Sequence, residues 1–484
     1  MNERLGDITR RYVSSVESDA ELLSFDVAGT EAHIMMLHQA GIIPESDAIK
    51  ILAALARLDA GEATLGEAGD AEDGHEVLEA HIAGEAGKDA GGRTQTGRSR
   101  NDQVAVATRM KLRRDANVIR EGILRLVSVL LDLADKHSGT IVPLYTHLQH
   151  AQAGTLSHYF IAQVDALLRD YGRFSDMYGR LNASPLGSGP VGGSSLPIDR
   201  DATAKMLAFP GLVENALDAT SSRDYITEFV SCCAMMMVSL SRMAEDLVLW
   251  SSDEFSFVEL GDGESSPSSA MPQKKNPDVL ELTRGKTARV IGDLVAVLAI
   301  QKGLATGYGR DLQETKEPAW SSAGIAAGAL QVMRGVISGM SVNEKRMAES
   351  AESGYLVALD VAERLVAQNV PFRQAHLAVG SLVAAAHDAG KSLDDLVGNE
   401  IRQACTLDPE KVAKALSGCT IEKSVQGRAS RGGTAISEQR RMISDRKKNL
   451  DRLLGELKLQ RDAASAETNI MRDNIRGLLG RKRT

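Results

Sequence analysis

Three polar segments of this 484-residue chain gather side chains that can do acid–base and anion chemistry. The first is Thr96-Gly-Arg-Ser-Arg-Asn-Asp-Gln103. Ser99, Asn101 and Asp102 can each cap a helix, and capping needs only one of them. Arg98 and Arg100 would then lie by the positive end of that helix, an anion-binding arrangement. The second is Tyr145-Thr-His-Leu-Gln-His-Ala-Gln152, where His147 follows Pro143 in a polar turn beside Thr146, Gln149 and Gln152. That company favours proton transfer over packing for His147. The third runs from Gly261 to Asp278. It opens with Gly, Ser, Pro and acids, the composition of a mobile loop, and ends in Lys274, Lys275 and Asn276, with Glu281 soon after. Such a segment is either a linker or a lid that closes over an anion.

Long helices are expected to hold these segments. Aromatic residues are only 4% of the chain and prolines number 12, so the core is built from Ala, Leu, Val, Ile and 16 Met. Apolar steps of three and four predict long amphipathic helices over Gln103–His137, Ala153–Gly179, Arg223–Ser252, Pro277–Lys302 and Pro318–Met340. Asn276 and Pro277 read as the N-cap and first residue of the fourth. A shorter helix is expected over Ala48–Leu58, followed by an acidic, turn-rich stretch from Ala60 to Asp73. The expected architecture is all-α, in three domains: a helical N-terminal domain over 1–101, a central long-helix bundle over 102–342, and a helical C-terminal domain over 343–484. From Arg440 onward the chain has 13 Lys and Arg against 6 Asp and Glu, which leaves −16 on the rest of a chain of net charge −9. Leu450, Leu453, Leu454 and Leu457 give this tail one apolar face, expected to pack on its own domain.

Other patterns carry less. Gly187-Ser-Gly-Pro-Val-Gly192 matches G-x-G-x-x-G, but a helical segment precedes it and Pro190 lies inside it, so it reads as an inter-helix loop. Glu72, Asp73, His75, Glu76, Glu79 and His81 read as a helix face and site wall, with no metal expected. The four cysteines form no C-x-x-C pair, and residues 1–11 lack an apolar core, so a cytoplasmic protein is expected. No stretch is long and apolar enough to span a bilayer, and the net charge argues against a nucleic-acid partner.

The three segments resemble those of the fumarase/aspartase superfamily of lyases. Pro267-Ser-Ser-Ala-Met-Pro-Gln-Lys-Lys-Asn-Pro277 follows its signature except at the first position, usually Gly. T-G-R-S-R-N-D-Q, T-H-L-Q-x-A-Q, M-P-Q-K-K-N-P-D and Asp311-Leu-Gln-Glu-Thr-Lys-Glu317 together are similar to the argininosuccinate lyase family, from about Asp26 to Gly380. The resemblance implies a homotetramer with active sites shared among subunits, and cofactor-independent splitting of argininosuccinate into arginine and fumarate. It implies Ser268 as the proton-abstracting base, His147 near the general-acid position with Glu281 as charge partner, and Lys274 and Asn276 on the reacting carboxylate. It further implies substrate contacts at Thr30, Ser99, Arg100, Asn101, Thr146, Arg223, Tyr308, Gln313 and Lys316. Pro267, Gln95 and Ala153 depart from the family's common residues, Gly, His and Pro. The alternatives are a superfamily lyase for another fumarate adduct, or a structural or binding protein on this fold.

Overall fold

The computed structural model describes residues 7–62 and 71–480. The acidic stretch expected over Ala60–Asp73 falls partly on 63–70, outside the described residues. The chain is all-α around a bundle of long helices. After α1 (Leu23–Gln39), α2 (Glu45–Asp59) and α3 (Gly74–Ala86) come the rods. These are α4 (Arg100–Lys136), α5 (Leu156–Leu181), α7 (Asp224–Trp250), α8 (Asp278–Gln301) and α9 (Lys316–Gly339), with the short α6 (Arg200–Met206) between α5 and α7. All five predicted long helices are present. Their apolar stripes meet in one cluster that includes Leu112, Phe160, Phe174, Phe229, Leu280 and Met333, each fully buried.

The ends of the rods differ from expectation where local chemistry decides. Helix α4 begins at Arg100, because Ser99 is its N-cap and Asp102 completes a capping box. Helix α8 begins at Asp278 without a side-chain cap, so Asn276 is not its cap. Asn276 lies instead in a two-residue ladder, where β4 (Ser266–Pro267) pairs antiparallel with β5 (Lys275–Asn276). The Ser268 N–H donates to the Lys274 carbonyl (3.0 Å) and extends this hairpin by one pair. In that register Pro267 faces Lys275 at a position whose N–H points away from the partner, so proline forfeits no ladder bond. The remaining strands are a second short ladder, β3 (Val258–Glu259) with β6 (Ser341–Val342), and the hairpin of β1 (Ile141–Thr146) and β2 (Gln149–Thr155). This hairpin replaces the turn expected before Ala153, and α5 starts at Leu156 with Thr155 as its cap.

A separate N-terminal cluster packs Ile34, Met36, Ile51, Leu52 and Leu78. A third, around Val361, Leu365, Leu382 and Val412, lies in the short helices after residue 357. The basic tail forms one helix, α10 (Ile436–Gly480), about 65–70 Å long at 1.5 Å per residue. It does not pack on its own domain as expected. Leu450 and Leu457 enter the bundle core, and Met471, Ile475 and Leu478 enter the N-terminal core. Arg446 reaches Asp165 with two hydrogen bonds (2.7 and 2.6 Å), and Lys447 pairs with Asp135 (2.9 Å).

The turn that leads into the Thr96–Gln103 segment is set by a close approach. A Cβ on Gly91 would lie 2.5 Å from the Ala83 Cα of α3. Gly91→Ala is expected to destabilise the chain by about 1–3 kcal/mol, as overpacking does. Urea unfolding checks this; an unchanged midpoint would contradict it.

Candidate active site

A cavity of about 310 Å³ opens where the N-terminal segments meet the bundle. Arg100 and Asn101 enter it from the first turn of α4. Tyr308, Arg310, Gln313 and Lys316 enter from the 3₁₀ turn over Arg310–Thr315 and its flanks, where α9 begins. Ser15, Asp19, Glu72, Asp73 and His75 complete the wall. Five of the residues expected at the site, Arg100, Asn101, Tyr308, Gln313 and Lys316, are thus brought together. Glu72, Asp73 and His75 stand in the wall, as expected of that acidic segment, whereas Ser15, Asp19 and Arg310 were not singled out. Ser15 and Asp19 stand four apart on one helical face, the one sequence signal that could have found them.

The wall is a linked set of charges. Asp19 accepts from Ser15 Oγ (2.7 Å), from the Gly74 N–H (3.1 Å) and from Lys316. Gln313 donates to Ser15 Oγ (2.7 Å) and accepts from Arg310 Nε (2.8 Å). Arg310 pairs with Glu72 (3.0 Å), and Arg100 with Asp73 (3.2 Å). Burial pushes the Tyr308 phenol up, so it stays a donor. Three cations and three carboxylates therefore face one space, which suits a ligand bearing charges of both signs.

Behind the wall lies a buried network. His75 Nδ1 contacts Asp26 (2.7 Å), which also accepts from Gln103 (2.7 Å). Burial opposes charge on His75, but Asp26, Asp19 and Asp73 outweigh it and hold its pKa above the ordinary 6.5. Burial likewise opposes ionised Asp26, and His75, Arg98 and Gln103 outweigh it and hold its pKa below the ordinary value. Arg98 is buried and donates to Thr30 Oγ1 (3.0 Å), so it does not face the cavity beside Arg100. Thr30, itself fully buried, stands behind the wall rather than in it. Burial and the Arg98 charge push His33 down to about 3, so it is neutral. The G-x-G-x-x-G loop holds a carboxylate of its own chain: the Gly187 and Gly189 N–H groups donate to Asp102 Oδ2 (2.8 and 2.9 Å). Asn101 Nδ2 reaches the Pro190 carbonyl of that loop (3.0 Å).

The other expected residues do not line this cavity. Ser99 is occupied as the α4 cap, its Oγ accepting from the Asn101 N–H (3.0 Å). Arg223, buried before α7, donates to the Ser222 carbonyl (2.7 Å). Thr146 and His147 stand exposed at the β1–β2 turn, where His147 and Leu148 take φ of 57° and 56°. That is the positive-φ pair a two-residue hairpin needs, built without glycine and therefore strained. Ser268 is half-buried on the β4–β5 hairpin, and its Oγ accepts from the Met271 (3.1 Å) and Ala270 (3.3 Å) N–H groups. Lys274 lines a different cavity, of about 1030 Å³, with Lys275 and Pro277. Asn276 is half-buried and Glu281 is exposed on α8. Among the described residues, no group of three or more His, Cys, Asp or Glu is placed to hold a metal ion.

Comparison with known proteins places the chain. Residues 16–292 match the family model described as Lyase, and residues 355–426 match the argininosuccinate lyase C-terminal model. The fold is that of solved lyases: EDDS lyase in complex with formate superposes with a TM-score of 0.86 at 27% identity, covering 96% of this chain and 93% of that one. The argininosuccinate lyase of Nitrosopumilus maritimus (strain SCM1) is 48% identical over 450 residues, 92% of each chain. That of Pelotomaculum thermopropionicum is 43% identical over 428 residues, 88% of this chain and 92% of that one. The chain belongs to the argininosuccinate lyase family.

The Asp26–His75 pair makes stability depend on pH. A histidine whose folded pKa is raised stabilises fully below its unfolded value, near 6.5, and this is lost as pH rises through the folded value. The gap in unfolding free energy between the wild type and His75→Gln is expected to be widest near pH 6 and to narrow toward alkaline pH. Urea titrations across that range check this; a gap that widens with pH would contradict it.

Proposed function

We propose that this chain splits argininosuccinate into arginine and fumarate by β-elimination without a cofactor, the last step of arginine synthesis. The observation that carries the reading is the charge pattern of the smaller cavity. Argininosuccinate has three carboxylates and a guanidinium. Arg100, Arg310 and Lys316 are set to meet the first, and Asp19, Glu72 and Asp73 the second. Asn101, Tyr308 and Gln313 supply neutral hydrogen bonds. Thr30 and Ser99 act through Arg98 and Asn101 in this reading, without touching substrate themselves.

Ser268 is the base in this reading. The two N–H groups that its Oγ accepts would also favour its alkoxide form. Proton removal beside a carboxylate leaves a doubly charged aci-carboxylate, which Lys274 and Asn276 stabilise. His147, with Glu281 as charge partner, lies near the departing guanidino nitrogen, and Thr146 and Arg223 complete the binding contacts. Within one chain, Ser268, Lys274 and His147 lie outside the wall that holds Arg100 and Lys316. We therefore assign the site to a homotetramer in which different subunits bring these segments together. Two further features support assembly. Helix α8 exposes Leu282, Ile291, Val295 and Leu298, and α7 exposes Met235 and Val238, an apolar surface fit for a second copy. The strained hairpin tip presents His147 outward. A cytoplasmic location fits the four free cysteines, and nucleic acid and membrane are not partners in this reading.

Purified protein given argininosuccinate should release fumarate, followed by its ultraviolet absorbance, with one arginine per fumarate. Ser268→Ala should lower kcat about 10²–10⁴-fold with little change in KM, because the serine touches a proton that moves only in the transition state. No fumarate from the wild type would move the reading to another adduct or to a non-catalytic protein. A variant keeping half of kcat would remove Ser268 as the base.

A further inference from the structure

A second charged space lies away from the catalytic cavity, where the last third of α10 crosses α1, α4 and α6. This groove, of about 380 Å³, is lined by Arg113 and Arg114 of α4 and by Arg461 and Arg472 of α10. Asn117, Ser465, Thr468 and Asn469 add neutral polar groups, and no Asp or Glu is among the lining residues. The catalytic cavity, by contrast, mixes both signs. In a chain of net charge −9, four arginines line one small space with no acid among its lining residues, which makes it a candidate anion site.

We propose that this groove binds a small multivalent anion, one bearing phosphate groups or paired carboxylates, and that the anion bridges α10 to α4. The guanidinium groups are preorganised for it. Arg113 is nine-tenths buried, stacked 4.1 Å from the Phe209 ring centroid, and fixed by the Leu207 (3.1 Å) and Ala208 (3.0 Å) carbonyls. Its Nε has no partner. Arg114 lies over the Phe25 ring at 5.1 Å. Three of the four have acidic neighbours outside the lining, and these leave donors over. Arg114 spends Nε and Nη2 on Asp115 Oδ1 (3.0 and 2.9 Å), which leaves Nη1. Arg461 spends Nη1 on Glu121, which leaves Nε and Nη2. Arg472 has the Asp59 carboxylate at 3.7 Å, beyond hydrogen-bond length, and lies near the Glu31 carboxyl, which burial and Asp59 raise to about 7. Arginine forks hold phosphate and carboxylate oxygens two at a time, and the volume is that of a metabolite-sized site. A nucleic acid fits less well. Asp451, Glu456, Asp462, Glu467 and Asp473 interrupt the basic residues of α10, so no continuous cationic track leads out of the groove.

The bridge would act on the fold rather than on the chemistry, because α10 joins the bundle core to the N-terminal core that carries half of the catalytic wall. The test uses the full-length assembled protein with inorganic pyrophosphate as probe and citrate as a carboxylate arm, at fixed ionic strength, read by calorimetry and thermal unfolding. Expected are one saturable site per subunit, a melting temperature that rises with probe concentration, and an unchanged Kd when fumarate is saturating. Arg461→Gln/Arg472→Gln should weaken Kd at least tenfold and leave basal activity intact. Arg114→Gln alone should weaken it by a smaller factor. These three side chains are about half exposed, so their loss spares the core. An unchanged Kd in the variants, displacement of pyrophosphate by fumarate, or a melting shift that sodium chloride reproduces would overturn the proposal. So would a short single-stranded RNA that binds more tightly than pyrophosphate through the same arginines.

Discussion

The buried carboxylate of Asp19 joins the parts from which the site is made. It accepts from Ser15 in its own turn, from the backbone at Gly74, 55 residues on, and from Lys316, 297 residues on. A carboxylate only 3% exposed is tolerable because each neighbour supplies a donor. Removing one partner of such a pair commonly costs about 3–5 kcal/mol, since the other charge is left buried. The start of α3, the N-terminal turn and the start of α9 are therefore held in one geometry. Tyr308, Gln313 and Arg310, which enter the cavity from that region, inherit it.

A second carboxylate does similar work on the other wall. Asp102 takes the N–H groups of Ser99, Gly187 and Gly189, which fixes the first turn of α4 and the loop beside it. Arg100 and Asn101 stand on that turn, so their direction is set by a helix start rather than by a flexible loop. The glycine pattern of the loop, which by itself suggests phosphate binding, serves an internal anion instead. Gly187 and Gly189 take positive φ, which lets both N–H groups converge on one oxygen.

Much of this was legible in the sequence. Period and the scarcity of proline gave the five rods, because helix burial depends on spacing that a single chain displays. The resemblance to the lyase family implied Arg100, Asn101, Tyr308, Gln313 and Lys316 as substrate contacts, and these five line one cavity. What was not legible depended on contacts between distant segments. Ser15 and Asp19 belong to no local motif and are tied to the cavity by Gln313, Lys316 and the Gly74 N–H. Nothing in His147-Leu148 announces a tight hairpin, since the turn normally asks for Gly or Asn. Asn276 is chemically a good cap, but strand pairing with Ser266 claimed it. The tail has the right period for its own domain, yet Met471, Ile475 and Leu478 find a deeper site on the N-terminal core.

The proposed function depends most on completion of the site by neighbouring subunits. The direct measurement mixes two inactive variants, Ser268→Ala and His147→Asn, and follows fumarate release after subunit exchange has been verified. Activity is expected to return if sites are shared, because some sites in hybrid assemblies then receive an intact Ser268 from one subunit and an intact His147 from another. No return of activity after complete exchange would contradict shared sites and would require one subunit to supply both residues.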